Sequence, residues 1–255
     1  MSNSKLATVT MLTSHMTSPR GRKIDTVTIH CMAGNLTVET CGRVFQSRRA
    51  SSNYGIGSDG RIALYVDEAD RSWATSNSEN DSRAVTIEVA NDGGAETGWH
   101  VSDEAYRALI RLLADICRRN GIRKLRWKGD RNLIGHVDQQ NMTAHRWFAA
   151  KACPGDYLYN NFGKIAHRVN KRLKRLMAVQ AVHDGMVSAG NQGVTDDVGF
   201  AADDMDFTDD VDEAIDGDGM DFEELEPIPD AMLLPVVDEI TETGNVPEWL
   251  IEDGE

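Results

Sequence analysis

The heptapeptide AVTIEVA, at residues 84–90, is a short apolar and β-branched run that ends at the polar pair Asn91 and Asp92. A run of this length between polar residues is typical of a strand whose centre is buried on both faces. A second run, IDTVTIH at residues 24–30, is also β-branched and alternates in polarity. Both runs therefore predict strands, and we expect them to belong to one central sheet.

The segments around these strands predict an alternation of helices and further strands. In the helix at residues 102–120, Ser102 is a suitable N-cap and Gly121 ends the helix. The remaining elements are a helix at residues 37–47 capped by Thr37, a hairpin at residues 54–66 turning on Asp59 and Gly60, a short strand at residues 125–128, and a helix from about residue 157 into the 170s. This alternation predicts the α/β class, with a single mixed central β-sheet flanked by helices.

The charge divides the chain into two unlike parts. The formal net charge is −14, but residues 195–255 hold 23 of the 41 acidic residues and no Lys or Arg. Residues 1–194 therefore combine all 27 basic residues with 18 acidic ones, a net charge of +9. The sequence thus predicts an N-terminal extension at residues 1–20, a folded domain at residues 21–180, and an acidic, mostly disordered tail with short apolar segments at residues 181–255.

Composition excludes several classes of protein. Hydrophobic residues make up 40% of the chain, which excludes a fully disordered protein. No run of about 18 apolar residues is present, so we expect no transmembrane helix. The N-terminal region lacks the continuous apolar stretch of a secretory signal, so we expect a protein made without a signal peptide.

The most informative segment for chemistry is AHRWFAAKACPG, at residues 144–155. It contains His145 and, eight residues later, Cys153, and imidazole and thiolate are both good zinc ligands. The spacing is too long for a zinc knuckle, but it suits two ligands of an open catalytic site that has three protein ligands. Lys151 precedes the cysteine by two residues, and the Pro-Gly pair after the cysteine takes the chain out of regular structure.

His30 is the best candidate for the third ligand. It ends the strand predicted at residues 24–30, and functional sites of α/β proteins gather where strands end. Cys31 follows it directly. Because neighbours along a strand face opposite sides, we expect Cys31 to point away from His30 as a small core residue.

Four segments, which include the runs described above, together form a specific pattern. They are DTVTIHCMAG at residues 25–34, SSNYGIGSDGRI at 51–62, RSWATSNSENDSRAVTIEVAND at 71–92 and NMTAHRWFAAKACPGDYL at 141–158. In this order they resemble the zinc N-acetylmuramoyl-L-alanine amidases of the amidase type 2 and peptidoglycan-recognition-protein superfamily. The sequence motifs are most similar to those of phage and prophage endolysins of Gram-positive hosts.

The resemblance implies that the domain at residues 21–180 is a zinc amidase catalytic domain. By position, it implies zinc binding by His30, His145 and Cys153, a tyrosine near the metal-bound water at Tyr54, a catalytic glutamate at Glu88, and a lysine that helps to stabilise the oxyanion at Lys151. The implied reaction is hydrolysis, by a zinc-activated water, of the amide bond between N-acetylmuramic acid and L-alanine in peptidoglycan.

Two points of the resemblance stay open. Asn53 stands where many relatives have a histidine, which puts any role of that position in doubt. His136, in the segment IGHVD, competes with His145 because some relatives place their second zinc histidine in a Gly-His segment. The eight-residue step to Cys153 favours His145, since it matches the cysteine-bearing branch.

Substrate contacts and cellular location follow from the same resemblance. Trp73, Asn77 and Asn91 lie in the loops flanking the strand at residues 84–90 and are the expected substrate-binding residues. An endolysin without a signal peptide accumulates in the cytoplasm and reaches the cell wall through a holin-type lesion, or it acts from outside the cell. The expected partner is therefore peptidoglycan.

The basic segment at residues 164–175, KIAHRVNKRLKR, predicts either attraction to the anionic wall or contact with the acidic tail. It has no interleaved aromatic residues, so we expect no nucleic-acid partner. Two alternative functions are a non-catalytic peptidoglycan-binding module and a regulatory protein that acts through its tail. Cys153 argues against the first alternative, because non-catalytic members of the superfamily commonly lose that ligand.

Overall fold

The computed structural model describes the backbone of residues 2–188 and the side chains through residue 178. Its strands are β1 (Val9–Thr10), β2 (Met16–Thr17), β3 (Thr26–Cys31), β4 (Tyr54–Ile56), β5 (Ile62–Leu64), β6 (Arg71–Ser72), β7 (Ala84–Val89) and β8 (Met142–Ala144), and its helices are α1 (Val38–Ser47), α2 (Ser78–Arg83), α3 (Asp103–Asn120) and α4 (Asp156–Ser188). Helix α4 thus continues past residue 180, and the rest of the predicted tail lies outside the described residues.

Six strands form a central sheet in the order β1-β5-β4-β7-β3-β8. Strand β3 is parallel to β7 and β8, β4 is parallel to β7, and β1 is parallel to β5, whereas β4 and β5 form an antiparallel hairpin. Strands β2 and β6 form a separate antiparallel pair. This mixed sheet with its helices confirms the predicted α/β class.

The two β-branched runs of the sequence form the adjacent strands β3 and β7. Their register pairs Ile29 with Ile87 and His30 with Glu88. Paired residues on neighbouring strands face the same side of a sheet, and consecutive residues face opposite sides. His30 and Glu88 therefore share one face, and the two isoleucines share the other.

The face that carries the two isoleucines forms the main core. Ile29 and Ile87 are fully buried there among apolar side chains of α3 and α4, which include Leu109, Leu113 and Phe162. Helices α3 and α4 pack on this side of the sheet, because burial of apolar surface is the dominant favourable term in folding. The other face is therefore left for the polar side chains.

The opposite face is partly polar and is covered by α1 and α2. Thr28 Oγ1 lies 2.7 Å from Thr143 Oγ1 on β8, and Asn80 Nδ2 of α2 donates to Thr28 Oγ1 at 3.1 Å. Helix α1 packs on the same side through a smaller apolar cluster that includes Phe45 and Tyr65. Thr28, Thr143 and Asn80 thus satisfy one another's polar groups in the interior.

The predicted helix caps are confirmed. Ser102 Oγ accepts a hydrogen bond from the backbone N–H of Ala105 at 3.1 Å, and Gly121 ends α3 in the left-handed conformation, with φ of +71°. Thr37 Oγ1 accepts from the N–H of Thr40 at 3.2 Å and begins α1. Local sequence therefore determines where these two helices begin.

The prediction of a strand at residues 125–128 is wrong. The N–H of Leu125 donates to Asn170 Oδ1 and the N–H of Arg126 donates to Asn141 Oδ1, so side-chain amides take the place of a sheet partner. The position beside β3 is occupied by β8 instead, a strand that the sequence pattern does not predict. Strand β8 has three residues, too few to show a polarity pattern.

The segment predicted as an N-terminal extension contributes β1 and β2. The N–H of Ser4 donates to the hydroxyl of Tyr54 at 2.8 Å. Arg20 is 4% exposed, and its guanidinium donates to the carbonyl oxygens of Glu68, Asp70 and Ala84. Among the helices described, none is both long and apolar enough to span a membrane.

Candidate metal centre

Two parallel strands bring His30 and His145 together. His30 is the fifth residue of β3 and is 1% exposed, and His145 directly follows β8. Because β3 and β8 are parallel and pair Ile29 with Ala144, their carboxyl ends meet at the same edge of the sheet. The two imidazole rings consequently lie with their centroids 5.0 Å apart.

A closed loop returns Cys153 to these histidines. After β8 the chain makes a short 3-10 turn, His145–Trp147, and the N–H of Arg146 then donates to the carbonyl oxygen of Cys153 at 3.1 Å. The Cys153 sulfur lies 3.3 Å from His30 Nδ1. The segment that looked most informative in sequence therefore folds back on the strand-end histidine.

The group His30, His145 and Cys153 fits a zinc ion. Each residue offers one ligand atom, and these atoms lie within 4.8 Å of one another. With ordinary Zn–N and Zn–S bond lengths, tetrahedral nitrogen and sulfur ligands are about 3.6 Å apart, close to the observed 3.3 Å between His30 Nδ1 and the Cys153 sulfur. Two imidazoles and one thiolate with a fourth position left open form the ligand set of a catalytic zinc centre.

The histidines have the protonation state that metal binding needs. Burial lowers the pKa of His30 well below its ordinary value, and His145 adds to the effect. Burial lowers the pKa of His145 to about 4, with contributions from the charges of Lys151 and Arg48. Both imidazoles are therefore neutral at pH 7. In each ring Nε2 is buried and has no hydrogen-bond partner among the described residues.

The pKa of the Cys153 thiol is shifted in the opposite direction. Burial raises its pKa well above the ordinary value, and Cys31 and Glu88 raise the pKa further. Without a nearby cation the sulfur therefore keeps its proton, so a bound metal would be what stabilises the thiolate. The site is accordingly suited to exchange a thiol proton for a metal ion.

Cys31 corrects one expectation from the sequence. It is buried, as predicted, but it lies close enough to Cys153 for each thiol to shift the pKa of the other, so it does not point away from the site. Cys31 is the last residue of β3, where the strand passes into a loop and strict alternation no longer applies. Its position next to His30 was the available signal in the sequence.

Glu88 lies beside the histidine on the neighbouring strand. Its side chain is 17% exposed, and Oε1 is 3.9 Å from His30 Nδ1. Burial raises the pKa of Glu88 well above its ordinary value, Cys31 raises it further, and Arg48 opposes the shift. Its Oε2 is buried and has no hydrogen-bond partner in the part of the chain that the structure describes. Such a carboxyl group, next to a metal-ligand group, can take up and return a proton.

Lys151 is exposed at the rim of the same site. It lies close enough to His145 for its charge to lower the pKa of that imidazole. The backbone N–H of Lys151 donates to the carbonyl oxygen of Ala149 at 2.8 Å, which fixes the turn between the two metal-ligand residues of this loop. The charge of Lys151 therefore acts at the edge of the group formed by His30, His145 and Cys153.

Tyr54 is on the other face of the sheet. Strand β4 pairs Tyr54 with Ile87 and Gly55 with Glu88, so the tyrosine faces the α3–α4 core while Glu88 faces the opposite side. Its hydroxyl donates to Glu68 Oε1 at 2.7 Å and accepts from the N–H of Ser4. The structure thus separates Tyr54 from the metal-ligand group.

We therefore expect Tyr54→Phe to affect stability and not catalysis. Loss of the hydroxyl leaves the buried N–H of Ser4 without its partner, which costs about 1–3 kcal/mol of unfolding free energy. Urea unfolding measures this loss, and hydrolysis assays corrected for folded protein measure the rate. A large fall in rate with unchanged stability would contradict the placement of Tyr54.

The three predicted substrate-binding residues occupy different surroundings. Trp73 Nε1 donates to Thr17 Oγ1 at 2.9 Å, and its ring lies beside that of His15. Asn77 caps α2 through its side-chain oxygen. Asn91 is 1% exposed and donates to the carbonyl oxygen of Trp99. Their role in substrate binding stays a prediction.

The alternative ligand His136 is exposed and lies outside the metal-ligand group. The N–H of His136 donates to the carbonyl oxygen of Leu133, and its own carbonyl accepts from Gln139 and Gln140, so it belongs to a surface turn. Between the two histidines weighed in the sequence, the structure brings His145 to His30 and Cys153.

Several solved structures are similar to this chain in fold. The hydrolase AmiA of Staphylococcus aureus, solved in complex with its ligand, is 13% identical, with a TM-score of 0.51 over 70% of this chain and 87% of AmiA. The endolysin amidase LysCS of Clostridium intestinale URNW is 15% identical, with a TM-score of 0.45 over 64% of this chain and 97% of LysCS. A mutant endolysin from Bacillus subtilis is 13% identical, with a TM-score of 0.45 over 63% and 97% of the two chains. The likeness to AmiA shows a shared fold.

The family comparison covers more than half of the sequence. No curated protein sequence matches the chain significantly. Residues 20–156 match the family described as N-acetylmuramoyl-L-alanine amidase, and this match contains β3, β7, β8 and the three candidate metal ligands. The chain belongs to the N-acetylmuramoyl-L-alanine amidase family.

Proposed function

We propose that this protein is a zinc-dependent amidase that cleaves the bond between N-acetylmuramic acid and L-alanine in peptidoglycan. The observation that carries the proposal is the convergence of His30, His145 and Cys153 within 4.8 Å, beside Glu88, in a chain of the amidase family. The three ligand residues would hold the ion and leave one position open. A zinc ion bound there lowers the pKa of a bound water toward ~7 and polarises the substrate carbonyl.

Glu88 is the proposed proton carrier. As a carboxylate it accepts a proton from the attacking water, and as an acid it returns this proton to the amine of the departing L-alanine. Its burial supports the role, because a raised pKa allows the carboxyl group to hold the proton until the amine takes it. The adjacent strands β3 and β7 fix its distance from the metal-ligand group.

Lys151 is the proposed oxyanion stabiliser. Negative charge builds up on the carbonyl oxygen during attack, and a cation at the rim of the centre lowers the energy of that charge. The proximity of Lys151 to His145 supports this role. Removal of one such group typically costs ~10²–10³ in rate.

We further propose an endolysin-like role, in which the protein acts on the cell wall after its release or from outside the cell. The net charge of +9 over residues 1–194 supports this role, since it attracts the protein to an anionic wall. Trp73, Asn77 and Asn91 remain the proposed contacts to the glycan and stem peptide.

Product analysis tests the proposed reaction. Purified full-length protein is incubated with purified peptidoglycan, and the digest is assayed for new amino termini and new reducing sugar ends. The proposal requires free L-alanine amino termini without new reducing ends. New reducing ends would identify a glycosidase, and binding without any cleavage would identify a recognition module.

Metal binding is expected to release protons. At pH 7 both histidines are already neutral, whereas the raised pKa of Cys153 keeps its thiol protonated until the metal binds. We expect about one proton released per zinc ion, or two if Glu88 also ionises, and an affinity that rises about tenfold per pH unit near neutrality for each proton released. Calorimetry in buffers of different ionisation enthalpy measures the count. Zinc binding without proton release would contradict the assignment of the Cys153 thiol as a metal ligand.

A further inference from the structure

We propose a second binding site, for the phosphodiester groups of an anionic cell-wall polymer, in a basic crevice at the far end of the sheet from the metal centre. The existence of an anion site rests on the geometry alone. The choice of a wall polymer as its ligand rests on the proposed function.

The basic crevice consists of two adjoining depressions. The first has a volume of about 370 Å³ and is lined by Arg22, Lys23, Asp25 and Arg83. The second, of about 230 Å³, shares Lys23 and Asp25 with the first. It continues along Asn120, Gly121, Ile122, Arg123, Arg126, Val137 and Asn141. We use the name basic crevice for the two together.

The basic crevice is separate from the metal centre. Asp25 immediately precedes β3, Arg83 immediately precedes β7, and Asn141 immediately precedes β8. The crevice therefore lies at the amino ends of the parallel strands, whereas His30 is near the carboxyl end of β3. Five residues of extended strand separate Asp25 from His30, a distance of about 17 Å.

The carboxylate within the crevice is already neutralised. Arg83 Nε and Nη2 donate to the two oxygens of Asp25 at 3.0 and 2.8 Å, a bidentate pair. Arg83 Nη1 also approaches the carbonyl oxygen of Gly135 at 3.5 Å. This pairing fixes the base of the crevice and leaves the other cations without a competing anion there.

The remaining cations carry unbalanced positive charge. Lys23, Arg123 and Arg126 form no ion pair within the described part of the chain, and Arg126 donates to the carbonyl oxygen of Lys124. Arg22 has only a loose, exposed contact with Glu79 at 3.8 Å. Like charges held together on a concave surface raise the local positive potential and concentrate anions.

The chemistry of the lining favours a phosphodiester polymer without bases over single-stranded nucleic acid. Guanidinium groups match phosphate geometry, and two depressions side by side suit a polymer with a repeating charge. The lining contains no aromatic side chain, which single-stranded nucleic-acid sites use for base stacking. A polymer held here would keep the enzyme on the wall while the metal centre works, which raises the effective substrate concentration.

A binding experiment with full-length protein tests the proposal. The probes are cell walls that carry poly(glycerol phosphate), the same walls stripped of this polymer by acid, and a DNA duplex as a competitor. The test variant is Lys23→Glu with Arg123→Glu, both exposed residues of the crevice. The matched control is Lys5→Glu with Arg107→Glu, which reverses two exposed charges elsewhere.

We expect the crevice variant to bind polymer-bearing walls at least about tenfold more weakly than the wild type, and the control variant to bind as the wild type does. Binding should weaken as salt increases, and stripped walls should bind both variants equally. Equal binding of the crevice variant and the wild type to polymer-bearing walls would overturn the proposal, and so would preferential binding of DNA over the polymer.

Hydrolysis of a short soluble muropeptide separates this proposal from the proposed function. The crevice variant should cleave it at the wild-type rate, because none of its altered residues contacts the metal centre. A protein that binds the polymer through the crevice but cleaves no muropeptide would contradict the amidase reaction and leave the anion site in place.

Discussion

Replacement of Cys153 by serine is expected to abolish stoichiometric zinc binding and, with it, peptidoglycan hydrolysis. Cys153 is the one sulfur ligand of the proposed centre, and a serine hydroxyl does not ionise at neutral pH to replace a thiolate. Changes to outer partners of zinc ligands already cost 10–100-fold in affinity, so we expect a loss of at least ~100-fold for the ligand itself. Zinc content after dialysis and the rate of L-alanine amino-terminus release are the two readouts.

Cys117→Ala provides the matched control. Cys117 is fully buried in α3, on the core side of the sheet. Its replacement should lower the free energy of unfolding and leave zinc content unchanged. If Cys153→Ser kept both its zinc and its activity, the assignment of the metal centre would be wrong.

Glu88→Gln is expected to lower the rate without removing the metal. Glutamine has nearly the same shape, so β7 and its pairing with His30 should persist, but the amide can neither accept the water proton nor deliver it to the amine. General acid–base catalysis typically contributes 10²–10⁴-fold, and we expect a fall of that size in kcat. The pH dependence that belongs to this carboxyl group should disappear as well.

The control for this substitution is Glu104→Gln, at an exposed position in the first turn of α3. It removes the same charge from the surface and should leave kcat unchanged. Zinc content, measured on both variants, separates a lost proton carrier from a lost metal. Full activity in Glu88→Gln would contradict the assignment of Glu88 as the general acid and base.

The sequence predicts the strand that ends at His30 and the strand that carries Glu88. Each of the two residues is the fifth of its observed strand, and the parallel pairing of β3 with β7 brings them side by side. The loop that carries His145 and Cys153 is local in sequence, so its eight-residue step already limits the distance between these ligands. The loop needs no knowledge of long-range register, whereas the pairing of His30 with Glu88 depends on the register between β3 and β7.

The face on which Tyr54 lies could not be obtained in the same way. Side chains alternate along a strand, so a shift of one residue between β4 and β7 would move Tyr54 to the side of Glu88. The observed register instead places Gly55 there, with the Tyr65 side chain against it. A resemblance between sequence positions does not determine on which face of the sheet a side chain lies.

The absence of a strand at residues 125–128 has a related cause. Leu125 and Arg126 satisfy their backbone groups through the amide side chains of Asn141 and Asn170, residues that are 15 and 45 positions further along the chain. Local propensity contains no information about such distant partners, since tertiary contacts routinely override it. The same limitation hid the pairing of β8 with β3.

X-ray absorption at the zinc edge of the purified full-length protein tests the central claim most directly. The claim is that one zinc ion is held by His30, His145 and Cys153. The spectrum should then show one sulfur at about 2.3 Å and two imidazole nitrogens plus one further light atom at about 2.0–2.1 Å. A zinc shell without sulfur, or a protein that binds no zinc while it still cleaves the muramoyl–alanine bond, would contradict the claim.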